Sequence, residues 1–131
     1  MSHELALTTA VSTENNNVNN SVWIGHWKNQ MGSTMELQLN GSDLSGTYVS
    51  SSSSAGGPIK GPLKGYAAGD RAAFVVMWPG GSITTWAGQI VNDQLNPTIK
   101  TLWHLVTDVP DADEPTKFWQ STLAGADEFT R

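Results

Sequence analysis

From Val22 onward, apolar and polar residues alternate in short runs separated by turn-forming residues. Successive side chains on a strand point to opposite sides of a sheet, so a period of two reads as strand. Eight runs fit it: residues 22–28, 34–39, 44–50, 59–67, 72–78, 82–91, 98–107 and 121–130. Between them stand Asn40-Gly41-Ser42-Asp43, Ala68-Gly69-Asp70, Pro79-Gly80-Gly81 and Asn92-Asp93-Gln94, residue types that close tight hairpins. No segment carries a sustained helical period. Eight strands joined mostly by short turns predict an all-β fold, an eight-stranded antiparallel up-and-down β-barrel, because closure removes the sheet edges. A β-sandwich is the fallback.

The faces set by the alternation are chemically mixed. Ser82, Thr84 and Trp86 share one face, while Ile83, Thr85 and Ala87 take the other. Trp27 shares a side with Asn29, Tyr48 with Ser50, Phe74 with Val76 and Trp78, and Trp103 with Leu105. Hydroxyls buried beside indoles need hydrogen-bond partners, which a small polar ligand supplies. One such tryptophan reads as plain core. Trp27, Trp78, Trp86 and Trp103 together, with polar companions on several faces, predict a ligand cavity inside the barrel. The opposite faces carry Val75, Met77, Leu102 and Val106, where a water-facing sheet reads polar. That predicts cover by another copy of the chain, a homo-oligomer.

Composition narrows the classes. A length of 131 residues predicts one domain, with residues 1–21 as a polar, Asn-rich flexible tail and 22–131 as the barrel. The net charge of -5 and seven scattered Lys and Arg argue against nucleic acid as a partner. There is no cysteine, hence no disulfide and no thiolate site. No apolar run approaches the roughly 18 residues of a membrane span. The N-terminus lacks the basic and apolar regions of a signal peptide, which reads as a mature form whose signal was replaced or as a cytosolic protein. Catalysis finds little support: His26 and His104 sit at outward parities, His3 is in the tail, and no nucleophile–base or metal-ligand spacing occurs. Gly80-Gly81 is not a phosphate cradle, since no helix follows it.

Gly25-His26-Trp27 is a G-x-W on the first strand, as in lipocalins and other small ligand-binding barrels. The longer stretch from Gly25 to Thr34 (GHWKNQMGST) resembles the first hairpin of the avidin–streptavidin family. So do Leu44-Ser45-Gly46-Thr47-Tyr48, Thr84-Thr85-Trp86-Ala87-Gly88-Gln89, and the stretch from Trp119 to Thr130 (WQSTLAGADEFT), in the same order along the chain. The resemblance covers all but the tail. It implies biotin as ligand, with no enzymatic activity and no further cofactor. Asn29, Ser33 and Tyr48 correspond to donors converging on the ureido oxygen, and Ser50 and Asp127 to acceptors for the two ureido N–H groups. Thr84 corresponds to the neighbour of the thioether sulfur; Ser82 and the backbone around Ser54 correspond to the carboxylate site at the mouth. Phe74, Trp78, Trp86, Trp103 and Leu105 correspond to the walls. Trp119, which no parity argument places inside, either plugs its own barrel or, as the resemblance implies, crosses an interface to cap a neighbour's biotin. The resemblance further implies a homotetramer in preference to a dimer, a secreted or periplasmic location, and sequestration of the vitamin.

Two departures stand out. The lid loop reads Ser50-Ser51-Ser52-Ser53-Ser54-Ala55-Gly56-Gly57, with Ser52 where the family often has an apolar residue and Ser54 where it has Asn. Less apolar burial and a looser loop predict faster biotin release than from the tightest members. The hairpin Pro79-Gly80-Gly81 is short and brings Ser82 close to Trp78, which predicts a narrower carboxylate end. The competing readings are weaker. A lipocalin-like carrier of another small ligand calls for an apolar cavity and a C-terminal helix, an enzyme would have to work with a lone inward Asp127, and a structural barrel leaves the polar inner faces unexplained.

Overall fold

The computed structural model describes residues 1–10, 20–53, 56–92 and 95–131. The alternating runs form eight strands: β1 (Gly25–Asn29), β2 (Thr34–Asn40), β3 (Asp43–Ser50), β4 (Ile59–Ala68), β5 (Arg71–Met77), β6 (Ile83–Val91), β7 (Thr98–Val106) and β8 (Thr122–Thr130). Each pairs antiparallel with the next, and β8 returns to β1 through Lys28–Thr130 and Asn29–Phe129. The sheet is therefore a closed up-and-down barrel, not a sandwich.

The pleat sorts the side chains as the alternation predicts. Along β6, Thr84 and Trp86 are buried while Ile83, Thr85 and Ala87 face outward. His26 also lies outside, paired with Glu36 on the neighbouring strand. Met77, Leu102 and Leu123 leave more than half their surface in solvent, so the exterior of the single chain is apolar in patches.

The interior divides along the barrel axis. Trp23, Trp27, Met35, Leu37, Leu63, Val76, Ile99 and Phe129 are fully buried and form the core, which Trp23 closes at the end where the Gly69 carbonyl holds it. Burying each such side chain contributes about 1.5–3 kcal/mol. The hairpin turns β2–β3, β4–β5 and β6–β7 close over this end, leaving the other to hold the cavity.

The closed end is sealed by a plug that alternation does not reveal. The period of two predicts strand from Val22, but Asn20–Trp23 form a 3-10 turn and β1 starts at Gly25. Distant partners hold this turn. Trp23 Nε1 donates to the Gly69 carbonyl at 2.8 Å, and the Gly69 N–H donates to Asn20 Oδ1 at 2.8 Å. Arg131 donates to the Ile24 carbonyl at 2.8 Å and stacks 4.0 Å over the Trp27 ring. A second correction concerns the tail. His3–Thr8 form a short helix, α1, whose first turn is capped by Ser2 Oγ accepting from the Leu5 N–H at 3.0 Å. Six residues are too few to display a helical period. Residues 11–19 of the expected tail lie outside the described residues. Before β8, a 3-10 turn at Asp111–Asp113, helix α2 (Glu114–Lys117) and a 3-10 turn at Phe118–Ser121 replace the extended start expected at Ser121.

Candidate functional site

The open end holds a cavity of about 490 Å³. Its polar groups divide into donors and acceptors, and the division follows from what each group already bonds to.

Asn29 ends β1, where the chain turns toward β2. Its Oδ1 accepts from the N–H groups of Met31 (3.0 Å) and Ser33 (2.9 Å), which closes the turn and fixes the orientation of the amide. Nδ2 consequently faces the cavity side and donates to the Tyr48 hydroxyl at 3.2 Å. Since Tyr48 accepts there, its own proton is left to donate. The Ser33 hydroxyl accepts from the Ser51 N–H at 2.9 Å, and its proton is likewise directed elsewhere. Asn29, Ser33 and Tyr48, all buried, thus form a cluster of neutral donors. Burial raises the Tyr48 pKa well above the ordinary phenol value, and the negative charge of Asp127 raises it further; hydrogen bonding with Ser33 and Asn29 opposes both. The phenol stays protonated throughout the neutral range.

The acceptors come from β3 and β8. Asp127 Oδ1 accepts from Gln30 Nε2 at 2.9 Å, and Oδ2 from Trp86 Nε1 at 3.0 Å. Gln30 is fixed in turn by the Glu128 N–H, which donates to its Oε1 at 3.0 Å. Ser50 donates to the Ser52 carbonyl at 2.7 Å, which leaves its lone pairs to accept.

Aromatic rings supply the walls. Tyr48 and Trp86 stack with centroids 4.7 Å apart, and Trp78 meets Tyr48 edge-on at 5.7 Å. Trp78 Nε1 donates to Thr84 Oγ1 at 2.9 Å, tying the wall across the β5–β6 turn. Phe74, Trp86, Trp103 and Gly125 lie opposite one another in sequence across β5 to β8. The glycine is required here: a Cβ at position 125 would fall 2.5 Å from the Trp103 ring.

The structure brings most of the expected residues together. Asn29, Ser33, Tyr48, Ser50, Ser52, Trp78, Ser82, Thr84, Trp86, Trp103, Leu105 and Asp127 line this one cavity. Phe74 does not line it. It faces inward but lies behind Trp86, stacked at 5.3 Å, and supports the wall from the core side. Trp119 lies on the 3-10 turn before β8, 74 % exposed and away from the cavity lining, so it does not plug its own barrel. Ser54 lies outside the described residues. Sequence reasoning missed Met31, Ser51, Ser53, Ile59, Gly80 and Thr107 on the lining, and Gln30 behind Asp127. Gln30 and Met31 follow Asn29 directly in the chain, and that adjacency is the signal the sequence offers for them.

Residues 17–131 match the Avidin family. The chain belongs to the avidin family. Among solved structures, this avidin-family chain is similar to xenavidin, at 30 % identity over 82 % of this chain and 95 % of that one, with a TM-score of 0.71. A biotin binding protein from chicken matches at 26 % identity over 86 % of this chain and 99 % of its own, with a TM-score of 0.73. Apo shwanavidin matches at 28 % identity over 82 % and 96 %, with a TM-score of 0.65. The avidin-family barrel has no helix among its described residues long and apolar enough to cross a membrane.

Proposed function

We propose that this chain is a non-enzymatic biotin binder that holds the ligand at the open end of the barrel. One observation carries the reading: neutral donors Asn29, Ser33 and Tyr48 gather in one cluster, while Ser50 and Asp127 are left as acceptors lining the same cavity. A cyclic urea presents the complement, one carbonyl oxygen flanked by two N–H groups. Donors that draw charge onto the oxygen make the N–H groups better donors, so the contacts reinforce each other. Family membership and the biotin-binding relative from chicken support the same ligand.

In this reading Trp78, Trp86, Trp103 and Leu105 hold the fused rings, and Thr84 approaches the thioether sulfur. Ser82 and Ser52 meet the carboxylate with neutral groups at the mouth. The hydrogen bonds described above hold the site groups in place, which lowers the ordering cost of binding. Trp119 is exposed, and on the family's pattern it would serve a neighbouring copy's site, with the apolar outer strands buried in a homotetramer. A secreted or periplasmic protein that withholds the vitamin from competitors fits these features. A carrier of a purely apolar ligand does not, since it would leave the donor cluster unsatisfied.

Intrinsic tryptophan fluorescence titrated with biotin tests the reading. Quenching that saturates at one biotin per chain is expected. No response at micromolar biotin would overturn it.

A further inference from the structure

We infer that Ser51 is a positioning residue that ties the loop after β3 to the donor cluster, and so sets how long the ligand stays; the ligand part of this inference rests on the biotin reading. Ser51 lies just beyond β3, where strand parity assigns no face. Its contacts reach back across the sheet to the β1–β2 turn. Its N–H donates to Ser33 Oγ at 2.9 Å, its hydroxyl donates to the Met31 carbonyl at 3.1 Å, and Ser33 Oγ lies 3.4 Å from Ser51 Oγ. Met31 and Ser33 are themselves pinned by Asn29 Oδ1. Asn29, Met31, Ser33 and Ser51 are thus one connected network, with the cavity donors at one end and the loop at the other.

The geometry gives Ser51 two effects on Ser33. Donation from the Ser51 backbone occupies a Ser33 lone pair and leaves the Ser33 proton as the free element of that hydroxyl. The Ser33 hydroxyl lies 3.4 Å from Ser51 Oγ, a long contact that a ligand oxygen easily outcompetes. The Ser51 hydroxyl meanwhile stays engaged with the Met31 carbonyl, so the loop base keeps its anchor while the Ser33 proton changes partner. The neighbours divide the remaining work: Ser50 bonds to the Ser52 carbonyl, and Ser53 Oγ donates to the Gly57 carbonyl at 2.8 Å. The serine run is therefore held at its base by Ser51, while Ser50 and Ser53 bond within the run and to Gly57.

Replacing one hydroxyl tests this. Loss of a single neutral hydrogen bond predicts about three- to tenfold faster biotin release from Ser51→Ala. Ser51→Thr, which keeps the hydroxyl, is expected to stay within about twofold of the parent rate. In a Ser33→Ala background the Ser51 hydroxyl still has the Met31 carbonyl as its acceptor, so Ser51→Ala should speed release there too. A parent-like rate in Ser51→Ala or an equally fast Ser51→Thr would each overturn the assignment. Amide exchange on the unliganded protein supplies a readout free of biotin. Ser51→Ala should speed exchange at residues 51–53 several-fold and leave the strands unchanged. If exchange responds but the parent chain does not bind biotin, the ligand reading fails and the loop tie stands. If exchange does not respond, the role given to Ser51 fails whatever the ligand.

Discussion

Trp86 and Asp127 are joined by a hydrogen bond of 3.0 Å from indole Nε1 to carboxylate Oδ2, across a barrel in which β6 and β8 are not neighbours. The wall of the cavity and its charged acceptor are therefore one unit. Gln30 holds the other carboxylate oxygen at 2.9 Å, so Asp127 is gripped from both sides.

Asp127→Ala removes that acceptor and strands two donors, Trp86 Nε1 and Gln30 Nε2. Loss of a hydrogen bond to a charged group costs about 1.5–3 kcal/mol, which predicts biotin affinity lower by about 10- to 150-fold. Far-UV circular dichroism should stay that of the barrel, while competition binding reports the loss. Parent-like affinity would remove Asp127 from the site.

Gly125→Ala puts a methyl 2.5 Å from the Trp103 ring. Overpacking of this kind costs about 1–3 kcal/mol, and the ring is expected to move into the cavity. A lower Tm together with weaker biotin binding is the expected pair of effects. A variant with unchanged near-UV dichroism and affinity would mean that Trp103 has room to spare.

The raised Tyr48 pKa fixes the sign of a pH effect. Below about pH 10, the ordinary phenol value, folded and unfolded chains both hold the proton and stability is unaffected. Above it the unfolded chain ionises first, so stability falls as pH rises toward the folded value. Alkaline unfolding curves should therefore steepen past about pH 10, and Tyr48→Phe should flatten that part of the curve. Biotin binding, which uses the neutral phenol, is expected to be level from neutral pH to about pH 10.

The serine loop gives a fourth test. Ser52 lines the cavity with a hydroxyl, where an apolar side chain would bury surface against a bound ligand. Ser52→Val should slow biotin release by about three- to tenfold, from burial of one to two methyl groups. Stopped-flow displacement with excess competitor measures it, and an unchanged rate would mean that the loop does not close over the ligand.

Trp119 offers the fifth. An indole 74 % exposed on the isolated chain is the expected contact with a neighbouring copy. Trp119→Lys should reduce the mass found by light scattering and speed biotin release together. Faster release with an unchanged mass would separate capping from assembly; no change in either would make Trp119 an ordinary surface residue.

Fold and site were legible in the sequence to different depths. Period two gives the side of a strand a residue faces, and it placed Trp27, Tyr48, Thr84, Trp86 and Trp103 inside. It does not give height along the barrel axis. For that reason alternation turns Phe74 inward without telling that its ring stacks on Trp86 at 5.3 Å. The inward position of Trp23 is not legible from alternation because Trp23 sits on a 3-10 turn and its indole is held by the distant Gly69 carbonyl. Ser51 and Met31 escaped for a related reason: they sit on turns, where direction is set by hydrogen bonds and not by a pleat. The donor and acceptor roles in the site came from resemblance. The bonds that fix them, such as the two backbone N–H groups on Asn29 Oδ1, could be read only in three dimensions.

The barrel closes through just two residue pairs, Lys28 with Thr130 and Asn29 with Phe129. The seam thus runs through Asn29, the residue that organises the donor cluster, and ends beside Arg131. A pull applied at Arg131 would load this short zipper together with the bonds of Arg131 to the turn before β1. Mechanical strain entering there would reach Asn29, and with it the ligand's grip, as well as the closed end.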